Sequence, residues 1–217
     1  MAEKEKFSFE QFLRKLFKGV LNTVANTLNR IGVKPNMVTA AGLLGNIAAG
    51  ILLAFGELTL GGIIALIVGP LDAVDGALAR LRNESKPYGS FVDSVTDRYD
   101  ELLLLGGLVI HFSLTQEWVG GILVYFAAMG SILVSYIRAK ADAMGYDAKV
   151  GIMTRVERYI VLIPGLILGK PFIFIALGII AILGNITAIQ RFLYVRKQAR
   201  SSVEKEIGEK QVLEVEK

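Results

Sequence analysis

The sequence predicts an all-α integral membrane protein: a six-transmembrane-helix bundle behind an N-terminal interfacial amphipathic helix. Three observations predict it. The 217 residues are 53% hydrophobic with a mean hydropathy of +0.51, more apolar than an ordinary soluble domain of this size. Apolar stretches of near membrane length recur along the chain. Basic residues gather in alternate connecting segments, the pattern that orients membrane helices. The length suits one domain. No cysteine is present, which excludes disulfides, thiolate metal sites and cysteine nucleophiles.

Residues 7–30 form the first element. Phe9, Phe12, Leu13, Leu16, Phe17, Val20, Leu21, Val24 and Leu28 fall at helical spacing, with Arg14, Lys15 and Lys18 off that stripe. Such a helix lies in the membrane interface; the alternative is a soluble amphipathic helix packed on a neighbour. Pro35-Asn36 opens the first span, over 36–56, because proline suits a first helical turn. The remaining spans are expected at 60–80, 89–113, 118–140, 155–169 and 171–192. Residues 197–217 are strongly charged and predict a frayed helical tail. The organisation is therefore 1–34 as a juxtamembrane helix, 35–196 as the membrane domain and 197–217 as the tail.

The connecting segments orient the bundle. Arg80, Arg82 and Lys86 follow the second span, Arg138, Lys140, Lys149 and Arg155 lie between the fourth and fifth, and Arg191, Arg196, Lys197 and Arg200 follow the sixth. The opposite segments hold Glu57, Glu117 and only Lys170. A multi-pass protein of the cell membrane with both termini and the basic mouth in the cytoplasm is the expected topology. The N-terminus carries no signal-peptide core, in keeping with that orientation. Trp118 belongs at the outer interface.

Four aspartates lie inside the second and third spans. Asp72 and Asp75 share one helix face at i,i+3, and Asp93 and Asp97 share another at i,i+4. The short connection makes the two helices antiparallel neighbours, with Asp72 and Asp97 each roughly 12 Å from the cytoplasmic end at 1.5 Å per residue. An aspartate at the centre of a span costs on the order of 3 kcal/mol, and four of them repel one another. Arg98 can neutralise only one. Hard divalent cations take carboxylate oxygens, and four carboxylates suit two ions about 4 Å apart, the spacing of phosphoryl-type chemistry. Structural ion pairs or a proton relay are the alternatives. Asp100 and Glu101 read as partners for nearby arginines. Gly76 and Ala79 are small enough for a flat nucleotide to approach the backbone, and Arg80, one turn on, suits a diphosphate.

This frame, D-x2-D-G-x2-A-R-x8-G-x3-D-x3-D over Asp72, Asp75, Gly76, Ala79, Arg80, Gly89, Asp93 and Asp97, resembles the signature of the CDP-alcohol phosphatidyltransferase family at every fixed position. The resemblance runs from Pro35-Asn36 and Thr39 to the end of the sixth span. It implies Asp72, Asp75 and Asp93 as ligands of two Mg2+ or Mn2+ ions, and Asp97 as ligand and general base. It implies Asn36, Thr39, Gly76, Ala79 and Arg80 around a CDP-linked lipid, and a homodimer. No nucleic-acid partner is expected.

A second basic group speaks to the acceptor alcohol. Ser135 and Arg138 end the fourth span, Arg155 and Arg158 share a face at the start of the fifth, and Arg191 and Arg196 close the sixth. Arginine suits a phosphate dianion, so a phosphorylated polyol is expected; the alternative is that these charges serve topology alone. The same six positions are similar to the inositol 1-phosphate pocket of the phosphatidylinositol phosphate synthase branch, whose archaeal members use CDP-archaeol. The function this implies is transfer of a phosphatidyl-type group from CDP-diacylglycerol or CDP-archaeol to inositol 1-phosphate, with release of CMP. Glycerol 3-phosphate is the rival acceptor. A cation transporter using the buried aspartates is the rival class, and it leaves Gly76, Ala79, Arg80 and Gly89 unexplained.

Overall fold

The structure, a computed structural model, describes residues 9–84 and 87–215. The first two residues of the expected 7–30 helix, Lys86 of the basic connection and the last two residues of the tail lie outside them. The only regular structure among the described residues is helical, with no strand: α1 (Phe9–Arg30), α2 (Pro35–Ala54), α3 (Leu58–Val68), α4 (Leu71–Leu81), α5 (Pro87–Leu114), α6 (Trp118–Ala143), α7 (Arg155–Leu168) and α8 (Phe172–Val215). With α3 and α4 taken as one interrupted stretch, there are seven helical rods. The chain divides into two compact units, Met1–Gln116 with Leu166–Gly169, and Glu117–Gly165 with Lys170–Lys217.

Four of these stretches are long and apolar enough to cross a membrane: Pro35–Ala54, Leu58–Leu81, Trp118–Ala143 and Phe172–Ser202. The expected six spans are thereby corrected to four. The third and fifth expected spans are the ones that fail, for physical reasons. The 28-residue α5 carries Asp93, Asp97, Arg98, Asp100 and Glu101 within its first fifteen residues. The 14-residue α7 is too short, since a perpendicular crossing needs about 20 residues.

In the first unit, α2 packs against α3, α4 and α5, and α1 against α4. Leu21, Ala25 and Leu28 of α1 join Val74, Ala77 and Leu78 of α4 in one apolar cluster. Leu16, Phe17 and Val20 of α1 remain exposed. The expected stripe therefore splits: one edge packs on α4 and the other stays exposed. Where α2 crosses α5, a Cβ on Gly50 would stand 2.6 Å from the Leu103 carbonyl oxygen, and one on Gly107 would collide with the Gly50 carbonyl. Such close backbone approach is the usual glue of membrane helices, where lipid supplies no hydrophobic drive for association.

The second expected span is not one rod. Gly69-Pro70 interrupts it, because proline has no N–H for the carbonyl four residues back. The helix restarts at Leu71, which leaves Asp72 in the first turn of α4. The positive end of the helix dipole there offsets part of the cost of a half-buried carboxylate. At its other end α4 closes with Asn83 at φ 55°, Asn83 N–H donating to Arg80 O and Glu84 N–H to Ala79 O.

In the second unit, α6 and α8 pack along each other. Gly130 meets Asn185 at a place where an added Cβ would lie 2.9 Å from the Asn185 nitrogen, and Asn185 Nδ2 donates to Phe126 O at 2.9 Å. The 44 residues of α8 span about 66 Å at 1.5 Å each, far more than a bilayer core of about 30 Å. The sixth span and the tail are thus one continuous helix.

Candidate metal centre and phosphate pocket

The first two turns of α4 and the first half of α5 bring three carboxylates together. One oxygen each from Asp72, Asp75 and Asp93 lie within 4.8 Å of one another. Asp75 is buried, at 6% exposure, and the other two are half-buried. The donor set fits a hard cation: at bond lengths of about 2.1–2.5 Å, oxygens on opposite sides of one ion lie about 4–5 Å apart. Asp97 is not among the gathered oxygens. Its Oδ2 lies 3.6 Å from Arg98 Nη1, which also donates to Ser94 O at 2.5 Å.

Thr39 reaches this cluster from α2. Its hydroxyl donates to Asp75 Oδ2 at 2.5 Å, with Pro35 O at 3.2 Å as a second acceptor within range. The expected nucleotide-side residue is thus in direct contact with the expected ligand set. Asn36, one turn earlier, is exposed. Gly76 and Ala79 are half-buried on α4, and a Cβ added at Gly76 would stand 3.6 Å from Arg80 Nη1. The exposed Arg80 therefore folds back over the bare surface that Gly76 leaves. Asp100 and Glu101 are buried, at 5% and 6% exposure.

The arginines belong to the second unit. Arg158 and Arg191 are nearly inaccessible, at 1% and 3%. Arg191 Nε donates to Val150 O at 2.9 Å and Nη1 to Val134 O at 2.7 Å. Arg138 and Arg158 lie near enough to repel its charge, and Asp142 and Glu157 near enough to offset it. Arg158 Nη1 donates to Met153 O at 3.2 Å. Arg155 is half-buried with its guanidinium 5.3 Å above the Tyr159 ring. Ser135 is half-buried, and Arg138 and Arg196 are exposed. Buried cations held by backbone carbonyls go beyond what topology requires.

The sequence reading missed how α7 begins. Thr154 N–H donates to Glu157 Oε2 at 3.0 Å, and the Thr154 hydroxyl contacts the same oxygen. T-x-x-E ahead of an apolar run was the available signal. Asp142 and Thr187 were missed too; neither has a sequence signal.

The family model of the CDP-alcohol phosphatidyltransferases matches residues 33–193. The chain belongs to the CDP-alcohol phosphatidyltransferase family. Archaetidylinositol phosphate synthase of Methanothermobacter thermautotrophicus is 34% identical over 172 residues, 77% of this chain and 85% of that protein. Phosphatidylinositol phosphate synthase of Cutibacterium acnes is 32% identical over 197 residues, 84% of this chain and 95% of the relative. The crystal structure of Mycobacterium tuberculosis phosphatidylinositol phosphate synthase with CDP-DAG bound superposes with a TM-score of 0.75 at 26% identity, over 81% of this chain and 93% of that one. The same protein has also been solved with manganese and citrate. The chain is accordingly an enzyme, a phospholipid-synthesis transferase that uses divalent cations, with Asp72, Asp75 and Asp93 as a fitting donor set. The cation-transporter reading finds no support in these matches.

Proposed function

We propose that this CDP-alcohol phosphatidyltransferase transfers a phosphatidyl-type group from a CDP-linked lipid, CDP-diacylglycerol or CDP-archaeol, to inositol 1-phosphate. The products are CMP and phosphatidylinositol phosphate or its archaeol counterpart. The observation that carries the acceptor is the pair of buried arginines, Arg158 and Arg191, each anchored to backbone carbonyls at an end of the second unit. Guanidinium groups gathered in this way suit a phosphate dianion better than a neutral polyol. Relatives at 30–34% identity that carry the inositol phosphate synthase names support the same choice.

Asp72, Asp75 and Asp93, with Asp97 as a further ligand, hold two divalent cations in this reading. When bound, these supply charge neutralisation for the diphosphate and for departing CMP. Thr39 fixes the orientation of the Asp75 carboxylate. Gly76 and Ala79 let the nucleotide approach α4 closely, Arg80 grips the diphosphate and Asn36 borders the same site. Asp97 accepts the proton of the acceptor hydroxyl, whose oxygen attacks the lipid-side phosphorus as the bond to the CMP oxygen breaks. Ser135, Arg138, Arg155, Arg158, Arg191 and Arg196 hold the acceptor phosphate. Residues 35–196 carry the chemistry, 1–34 lie on the membrane surface and 197–217 form a cytoplasmic tail. Both termini and the active site face the cytoplasm, and the enzyme works as a homodimer. The deciding experiment supplies purified enzyme with CDP-lipid, Mn2+ and a panel of alcohols, and follows CMP release. Inositol 1-phosphate should be used far better than free inositol or glycerol 3-phosphate; preference for either of the latter removes the proposal.

A further inference from the structure

The segment between α6 and α7 has no regular structure, yet three side chains on one face of α8 tie it down. Gln198 Oε1 accepts from Asp147 N–H at 3.1 Å, and Gln198 Nε2 donates back to Asp147 O at 2.5 Å. Arg191 Nε takes Val150 O at 2.9 Å. Thr187 Oγ1 accepts from Met153 N–H at 3.1 Å, and Thr187 is fully inaccessible. Positions 187, 191 and 198 recur at i, i+4 and i+11, so they line one stripe of the helix. Gly151, at φ 107°, lies where an added Cβ would collide with Thr187 Cγ2, so the segment approaches α8 at backbone distance. Ala148 and Met153, within the segment, are buried.

We propose that Thr187 is a positioning residue for the acceptor pocket, acting through the Met153 peptide. Met153 is held at both of its backbone polar atoms: its N–H goes to Thr187 and its carbonyl receives Arg158 Nη1 at 3.2 Å. The next residue, Thr154, caps α7 through Glu157. The hydroxyl of Thr187 therefore sets where α7 starts, and with it where Arg155 and Arg158 present their charge. A buried amide deprived of its acceptor has no water to turn to, so the segment shifts when the hydroxyl is removed. This inference builds on the assignment of those arginines to the acceptor phosphate.

Thr187→Val keeps the branched shape and deletes the acceptor. With purified enzyme, we expect the acceptor KM to rise about three- to tenfold, the loss that follows from one neutral hydrogen bond. kcat and the CDP-lipid KM should move less than twofold, and Thr187→Ser should restore the acceptor KM. Hydrogen exchange supplies a readout that needs no chosen acceptor: in the wild type the Met153 amide should exchange slowly, and in Thr187→Val at the rate of the neighbouring loop amides. Rapid exchange in the wild type overturns the proposal, and so does an unchanged acceptor KM in folded Thr187→Val. If the wild type prefers glycerol 3-phosphate, the inositol phosphate assignment fails, and the same KM criterion applied to that acceptor still decides the role of Thr187.

Discussion

The hydroxyl of Thr39 lies 2.5 Å from Asp75 Oδ2, so the N-terminal parts of α2 and α4 are joined through a carboxylate of the candidate metal centre. A hydrogen-bonded carboxylate keeps one oxygen committed and the other aimed, which is how outer partners tune metal ligands. Thr39→Val should therefore raise the Mn2+ concentration for half-maximal activity about ten- to hundredfold, while Thr39→Ser stays near wild type. Activity titrated against Mn2+ in metal-stripped enzyme makes the measurement, and an unshifted midpoint in the valine variant would separate Thr39 from the metal.

Asp75→Asn tests the donor set itself. The substitution keeps the shape, removes one of three gathered charges and should weaken Mn2+ binding at equilibrium as well as activity. Exhaustive chelation should abolish CMP release, and restored Mn2+ or Mg2+ should bring it back. Full activity after chelation is incompatible with a divalent-cation mechanism.

Asp97 is the one signature aspartate outside the gathered three, with its Oδ2 3.6 Å from Arg98 Nη1. Its proposed role as general base predicts a selective loss. Asp97→Asn should abolish transfer and leave CDP-lipid binding largely intact. Turnover near the wild-type rate would remove Asp97 from the role of base.

Gly107 gives a prediction about stability alone. A methyl group there would run into the Gly50 carbonyl, which is backbone and has nowhere to go. Gly107→Ala should force α2 and α5 apart at a cost of about 1–3 kcal/mol, seen as a lower Tm in detergent. An unchanged Tm would mean that the crossing is not close-packed.

How much of this was legible in the sequence differs between the two sites. The aspartates could be read from spacing because i,i+3 and i,i+4 pairs on adjoining helices leave few ways to meet, and Asp72, Asp75 and Asp93 do meet. The span count could not, since α5 carries its acids along the half that a hydropathy reading must count against it. The break at Gly69-Pro70 was visible as letters, but a proline within an apolar run is read as a tolerated kink until the helix is seen to stop and restart. In the second unit the arginines were visible as charge alone. Their burial depends on carbonyls of Val134, Val150 and Met153, and a backbone acceptor has no signature in the side chains that precede it.

Arg155 and Arg158 separate phosphate binding from structure, because their surroundings differ. Arg155 is half-buried with its guanidinium over the Tyr159 ring, so its removal disturbs the packed interior less than that of Arg158. Arg155→Ala should raise the acceptor KM about ten- to hundredfold, as expected for a charge-assisted contact of about 1.5–3 kcal/mol, with a smaller fall in Tm than Arg158→Ala. Arg158 is buried and also serves the Met153 carbonyl, so Arg158→Ala should raise the acceptor KM and lower the Tm together. In both variants the KM for CDP-lipid should hold if, as proposed, Arg80 and the metal centre bind its phosphates. Charges that serve only topology predict the opposite pattern, with reduced insertion or yield and an unchanged acceptor KM in the enzyme that does fold. Steady-state kinetics with each substrate varied in turn, on the same preparations used for thermal melts, distinguishes the two. A wild-type acceptor KM in both variants would place the phosphate elsewhere and take from the inositol phosphate assignment its main physical support.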